Sequence, residues 1–148
     1  MSIRRAQAED FPALLQIWEQ SVRATHDFLQ ESDIQALIPV VRDQALPNLE
    51  VWLMHSGQHE PVGFMGLDGN KLEALFIAPA HFRQGHGKTM LVHARQHAGA
   101  LGVDVNEHSP RAVSFYLANG FVIHSRSETD GQGNPFPLLH LIESRTVV

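Results

Sequence analysis

Three short apolar runs follow one another with only turn residues between them: Val51-Trp52-Leu53-Met54, Val62-Gly63-Phe64-Met65-Gly66-Leu67 and Leu72-Glu73-Ala74-Leu75-Phe76-Ile77. The first gap holds Ser56-Gly57-Gln58, and the second holds Asp68-Gly69-Asn70, a strong hairpin signal. Neither gap has the dozen or so residues that a parallel crossover needs, so the runs pair as an antiparallel meander. Pro79 stops the third run.

Helical periodicity frames this meander. A short strand over residues 2–6 leads to Asp10 as a helix N-cap, with Pro12 in the first turn. Phe11, Leu14, Leu15, Trp18 and Val22 then form one apolar stripe. A second helix is predicted over 32–46, with Ile34, Leu37, Ile38 and Val41 inward and Pro39 a candidate break. After the meander comes a helix over 85–101 carrying Met90, Leu91, Ala94, Ala98 and Leu101, with Gly102 as its C-terminal stop. A strand over 103–105 precedes a helix opened by Ser109-Pro110 and closed by Asn119-Gly120. Strands over 121–123 and 138–142 finish the chain around a polar loop, 127–134. The order predicts an α+β fold of one domain, residues 1–148, with a mixed, mostly antiparallel sheet of about seven strands flanked by four helices.

Composition removes several classes of function. The 148 residues contain no cysteine, which excludes disulfides, a cysteine nucleophile and thiolate-bound metal. A formal charge of -5 argues against a nucleic-acid face. No apolar stretch suits a signal peptide or a membrane span, so a cytoplasmic, membrane-free protein is expected. The ten histidines lack metal-ligand spacing. His93 and His97 are four apart on a helix, but no Glu follows His93. No metal is expected.

The richest segment is Ala78-Pro79-Ala80-His81-Phe82-Arg83-Gln84-Gly85-His86-Gly87-Lys88-Thr89, a strand exit entering a helix through two glycines. Such a junction offers free backbone N–H groups and the positive helix end, both favourable to phosphate. A nucleotide P-loop requires glycine at 82, where phenylalanine stands. A dinucleotide fingerprint requires glycine at 90, which is methionine. A glycine-rich turn that binds nothing remains the alternative.

This segment resembles the acetyl-CoA motif of the GNAT N-acetyltransferase family, Arg/Gln-x-x-Gly-x-Gly/Ala after a strand ending near a proline. Phe76-Ile77-Ala78-Pro79 matches the strand exit, and Gly85 and Gly87 match the glycines. The leading Arg/Gln position falls on Phe82, with Arg83 and Gln84 beside it. A second stretch, Asn106-Glu107-His108-Ser109-Pro110-Arg111-Ala112-Val113-Ser114-Phe115-Tyr116-Leu117-Ala118-Asn119-Gly120-Phe121, resembles the family's Asn-x-x-Ala-x-x-Phe-Tyr-x-x-x-Gly-Phe helix, with Ser109 replacing its asparagine. Ala24-Thr25-His26-Asp27-Phe28-Leu29 and Pro135-Phe136-Pro137-Leu138-Leu139 are similar to the YjaB-like bacterial branch.

The resemblance implies direct acetyl transfer from acetyl-CoA, the cosubstrate, to a primary amine: a protein lysine or N-terminus, or a small amine. It places the cofactor against the strand residues Leu75, Phe76 and Ile77, against Arg83, Gln84, Gly85, His86, Gly87 and Lys88 of the loop, and against Ser109. Tyr116, the only tyrosine, stands at the family's acid position; a packed core tyrosine is the alternative. Glu73 is the nearest base, or a solvated strand carboxylate. Asn106 orients the acceptor or a water, or serves only the turn at its strand end. His26, Asp27 and Phe28 shape the acceptor pocket, where His26 with Asp27 attracts the amine, acts as a base, or merely caps the next helix. Phe82 supports the rival function, a catalytically silent acyl-CoA-binding sensor or interaction module. Monomer and homodimer both remain open.

Overall fold

The meander forms as its turns demand. In the computed structural model, which describes residues 2–57, 60–131 and 133–143, the three runs become β2 (Glu50–His55), β3 (Pro61–Asp68) and β4 (Lys71–Ile77). Each is one or two residues longer than its apolar stretch. The strand β1 (Ser2–Arg5) adds to one edge, while β5 (Gly102–Asn106), β6 (Phe121–Ser127) and β7 (Leu138–Glu143) complete a seven-stranded sheet of order β1-β2-β3-β4-β5-β7-β6. Every neighbouring pair is antiparallel except β4–β5, as the mixed-sheet expectation required. Gln58 and His59 of the first turn, Gln132 of the polar loop, and positions 1 and 144–148 lie outside the described residues.

Helices cover both faces. On one side α1 (Phe11–Thr25) buries Leu14, Ile17, Trp18 and Val22 against Leu53 and Phe64 of the sheet. On the other, α4 (His86–Ala98) and α5 (Pro110–Ala118) bury Met90, Leu91, Ala94 and Tyr116 against Met65, Leu72, Val103 and Leu141. Each fully buried aliphatic side chain contributes about 1.5–3 kcal/mol.

Several ends differ from the sequence expectation. Asp10 does not cap α1 through its side chain; it accepts from the Gln7 N–H (2.8 Å) and pairs with Arg4 (2.9 Å), bracing a 3-10 turn ahead of the helix. Pro39 does not divide the second helix. α2 (Glu31–Val40) passes straight through it into a π-helical stretch, Val41–Ala45, and a last turn, α3 (Leu46–Asn48). Proline removes one backbone donor, and the wider π turn just beyond accommodates the disturbed ladder. α4 ends at Gly99 (φ 80°), not Gly102. Leu101 therefore fills the core from a turn, and Gly102 starts β5. Ser109 holds the N-cap position of α5, but its hydroxyl makes no capping bond.

Candidate functional site

The site begins with a parting of strands. β4 and β5 pair only at Lys71–Gly102 and Leu72–Val103. Beyond these two positions they diverge, and the edge of β4 from Glu73 onward faces a cleft instead of a neighbouring strand. The cleft has a volume of about 120 Å³ and is walled by residues 72–76 of β4, residues 103–106 of β5, and Ser109, Ala112 and Tyr116 of the α5 region, with His26 reaching in. So narrow a slot suits a slender chain rather than a bulky ligand.

Glu73 sits at the point of parting. Gly66 pairs with Ala74 and Leu67 with Leu72, so Glu73 is the extra residue of a β-bulge with no partner on β3. Bulges bend a strand and re-aim its side chains. The Glu73 carboxylate lies 3.3 Å from Lys71 Nζ, which also meets Asp104 Oδ2 at 2.9 Å.

The glycine-rich junction lies past the C-terminal end of β4. Gly85 caps α4 in the left-handed region (φ 80°), and no side chain caps the helix start, leaving first-turn N–H groups of α4 without helical acceptors. Arg83 is the one described non-glycine residue with positive φ (63°), a strained geometry of the kind that accumulates at binding loops. The Gln84 side chain meets His86 Nε2 at 3.2 Å. Gly87 packs tightly: a Cβ there would stand 3.0 Å from Phe115 Cζ, so the ring would have to give by a few tenths of an ångström. Phe82 is half-buried, while Arg83, Gln84 and Lys88 are exposed.

Tyr116 is 7% exposed and lines the cleft, with its ring edge-on to Phe115 (5.1 Å) and Phe121 (5.3 Å). Burial pushes its phenol well above the ordinary tyrosine range, so it keeps its proton. Ser109 is 6% exposed, and its Oγ has no hydrogen-bond partner. A buried hydroxyl left so costs about 1–3 kcal/mol, which a ligand acceptor in the cleft would recover. Asn106 serves the turn at its strand end: its Oδ1 accepts from the His108 N–H (2.9 Å). The amide nitrogen is the part left for a ligand.

Two of the residues expected on the acceptor side, His26 and Phe28, also come together. Phe28 is the hub of a ring cluster, 5.3 Å from His26, 5.8 Å from His108 and 5.9 Å from Phe136. It thus joins the α1–α2, β5–α5 and β6–β7 connections above the cleft. Thr25 Oγ donates to the Ser21 carbonyl (2.7 Å), which spends its only hydrogen. His26 Nδ1, 2.7 Å from that oxygen, must therefore be the donor, leaving Nε2 with a free lone pair. Burial lowers the His26 pKa, opposed by the charge of Asp27, and favours the neutral ring. Asp27 itself is exposed.

One cluster escaped the sequence. His140 Nδ1 meets Asp104 Oδ1 at 2.6 Å, and His140 Nε2 meets Ser127 Oγ at 2.6 Å. Burial works against the Asp104 charge, but hydrogen bonds from Lys71 and His140 outweigh it and hold the carboxyl below the usual range. The available signal was alternation: Val103-Asp104-Val105 and Leu139-His140-Leu141 each set one polar residue on the face opposite two apolar ones. His93 and His97 of α4 pack instead on Trp52, at 4.7 Å and 5.1 Å. Among the described residues no group of three His, Asp or Glu is arranged to hold a metal, and no helix is long and apolar enough to cross a membrane.

Comparison with known proteins agrees with this architecture. The profile of the acetyltransferase (GNAT) domain matches residues 47–123. Peptidyl-lysine N-acetyltransferase YjaB of Salmonella typhimurium is 44% identical over 142 residues, covering 96% of this chain and 97% of that protein. The solution structure of apo-form YjaB from Escherichia coli superposes with a TM-score of 0.90 at 41% identity, covering 98% of each chain. PaiA N-acetyltransferase from Thermoplasma acidophilum, solved in complex with coenzyme A, shares the fold at 20% identity, with a TM-score of 0.77 over 97% of this chain and 98% of that one.

Proposed function

The chain belongs to the GNAT N-acetyltransferase family and is an acetyl-CoA-dependent enzyme that acetylates an amine; from that premise we propose how its residues divide the work, within one domain spanning residues 1–148. The observation that carries the assignment is the parting of β4 and β5 after two residue pairs, beside an uncapped helix start.

When bound, acetyl-CoA supplies the acetyl group as an activated thioester. The backbone amides of Gln84, Gly85, His86, Gly87 and Lys88 hold its diphosphate, assisted by the helix dipole and by Arg83 and Lys88. The unpaired edge of Leu75, Phe76 and Ile77 bonds the amides of its pantetheine arm, as a missing strand would. Ser109 Oγ, buried and without a partner, gives one further polar contact to that arm. Direct transfer needs no protein nucleophile, which suits a chain without cysteine.

Two protons must move. An amine with a pKa near ~10 arrives as an ammonium and must lose a proton before it can attack. Glu73 accepts it through water, and His26 Nε2, neutral and facing the same cleft, is the second acceptor. Tyr116, kept protonated by burial, donates to the departing thiolate. Asn106 Nδ2 orients the acceptor, while Phe28 and Asp27 border its approach. The peptidyl-lysine activity of the YjaB relative supports a protein lysine as acceptor.

Thermal unfolding with ligands tests the assignment. CoA at about 100 times its Kd adds about 2.7 kcal/mol, a rise in Tm of roughly 5–10 °C, whereas ATP and NAD leave it unchanged. No rise at saturating CoA overturns the proposal. CoA binding without thiol release on any amine would identify a silent CoA-binding module instead.

A further inference from the structure

The strands β5, β7 and β6 turn one face toward α4 and α5. Val103, Val105, Leu139, Leu141 and Phe121 carry that face into the core. Side chains alternate along a strand, so Asp104, His140 and Ile142 stand on the opposite face. Asp104 lies directly across from His140, and Ile142 directly across from Val122. Ser127 pairs with Leu138, which sets it diagonal to His140 and within side-chain reach. This face is open to solvent, with the His140 side chain 30%, Ile142 43% and Val122 44% exposed.

Three of these side chains are joined in series. Ser127 Oγ lies 2.6 Å from His140 Nε2, and His140 Nδ1 lies 2.6 Å from Asp104 Oδ1. An ionised carboxylate only accepts, so Nδ1 carries the hydrogen and donates to Asp104. In the neutral ring Nε2 then holds a lone pair, and the Ser127 hydroxyl donates to it. This is the order of nucleophile, base and orienting carboxylate that activates a serine, and it recurs on unrelated folds. Lys71 Nζ, 2.9 Å from Asp104 Oδ2, fixes the carboxylate with its other oxygen toward the imidazole. Its charge also offsets part of the help that Asp104 gives an imidazolium, which makes turnover slow. The edge strand of the sheet is β6, and N–H groups along its outer side, which face no further strand, are the donors available to a developing oxyanion. Acetyl transfer as described above uses neither Ser127 nor His140.

We propose that Ser127, His140 and Asp104 form a second catalytic site, which cleaves esters of an apolar acyl chain, beside the transfer cleft whose wall Asp104 shares. Ser127 Oγ bonds to the ester carbonyl carbon and passes its proton to His140 Nε2. The bond from that carbon to the alcohol oxygen breaks, and the departing alkoxide takes the proton back from Nε2. Water then attacks the acyl-serine, again giving its proton to Nε2; the carboxylic acid leaves and Ser127 recovers its hydrogen. The acyl class follows from the neighbours. Ile142 stands two residues beyond His140, about 7 Å along the strand, with Val122 at its side. A medium-length chain spans that distance and covers both, whereas an acetyl group reaches neither.

The test is covalent labelling followed by turnover. Diisopropyl fluorophosphate, which bonds through phosphorus to an activated serine oxygen and releases fluoride, gives one adduct per chain, mapped by mass spectrometry to Ser127. Ser127→Ala abolishes the adduct and leaves thiol release from acetyl-CoA within about twofold of wild type. His140→Gln and His140→Asn each slow labelling at least about a hundredfold, the lower end of what a general base contributes. Unfolding the wild type in urea abolishes labelling as well, which keeps the test decisive should either variant fold poorly. Wild-type protein hydrolyses p-nitrophenyl octanoate with kcat/KM about tenfold or more above that for the acetate, and Ser127→Ala loses this activity. A wild-type chain without an adduct at Ser127, labelling that persists in urea or is unchanged in folded His140 variants, or hydrolysis that survives Ser127→Ala overturns the site. Equal kcat/KM on the two esters, or preference for the acetate, overturns the apolar acyl class.

Discussion

Tyr116→Phe removes one oxygen and leaves the ring. The ring keeps its edge-on contacts with Phe115 at 5.1 Å and Phe121 at 5.3 Å, so packing survives. Losing a single buried hydroxyl changes stability by about 1 kcal/mol, or roughly 2–4 °C in Tm. Catalysis suffers far more. A positioned general acid contributes about 10²–10⁴ in rate, equal to roughly 2.7–5.4 kcal/mol of barrier. Thiol release from acetyl-CoA at about pH 7.5 should therefore fall at least a hundredfold in kcat, while the Kd for acetyl-CoA, measured by calorimetry, stays within about twofold. The pH dependence carries a sign. An acid works while protonated, so its contribution disappears as pH rises through its pKa, and burial has moved that pKa above the ordinary tyrosine value. The wild type accordingly shows no loss of rate from this group up to about pH 10. A Phe variant within about threefold of wild-type kcat would refute the acid role and leave Tyr116 a core residue.

Three further perturbations have defined outcomes. Gly85→Ala meets no neighbouring atom but must hold φ at 80°, so it costs about 1–2 kcal/mol, read as a lower Tm, and weakens CoA binding through the same twist. Asp104→Asn lowers Tm at neutral pH because it breaks contacts to Lys71 and His140. The native carboxyl sits below the ordinary aspartate pKa, so its stabilisation is present above the unfolded value of about 4 and is lost as pH falls through the depressed one; the gap in Tm between the two proteins should narrow steadily as pH falls below about 4. Phe28→Ala empties the centre of the ring cluster and should raise KM for the amine several-fold while leaving KM for acetyl-CoA near its wild-type value, in steady-state assays varying each substrate.

Wherever local chemistry fixes a conformation, the sequence was enough. The meander followed from gaps too short to cross over, and Gly120, at φ 93°, ends α5 as its position suggested. Two glycines near the end of α4 offered rival stops, and tertiary packing decided between them: Gly102 was needed to pair with Ile142 in the sheet, which left Gly99 to end the helix. Pro39 read as a break because local rules omit the π turn that absorbs it. At the site, Gly85, Gly87, Ser109 and Tyr116 were visible through their motifs. The Lys71–Asp104–His140–Ser127 network was not, since its members come from four strands and meet only when β4, β5, β7 and β6 are laid side by side. The bulge at Glu73 was hidden for the same reason, being a mismatch between two strands rather than a property of either.

Gly87 presents bare backbone to the Phe115 ring, which in turn meets Tyr116 edge-on. The helix start is thereby met by the tip of a single benzene ring. A side chain at position 87 would meet that ring at 3.0 Å and stand only if the ring gave by a few tenths of an ångström, a movement passed on to the Tyr116 ring that it touches. In the proposed function, the loop that holds the donor and the phenol that serves its leaving group are thus joined through one ring.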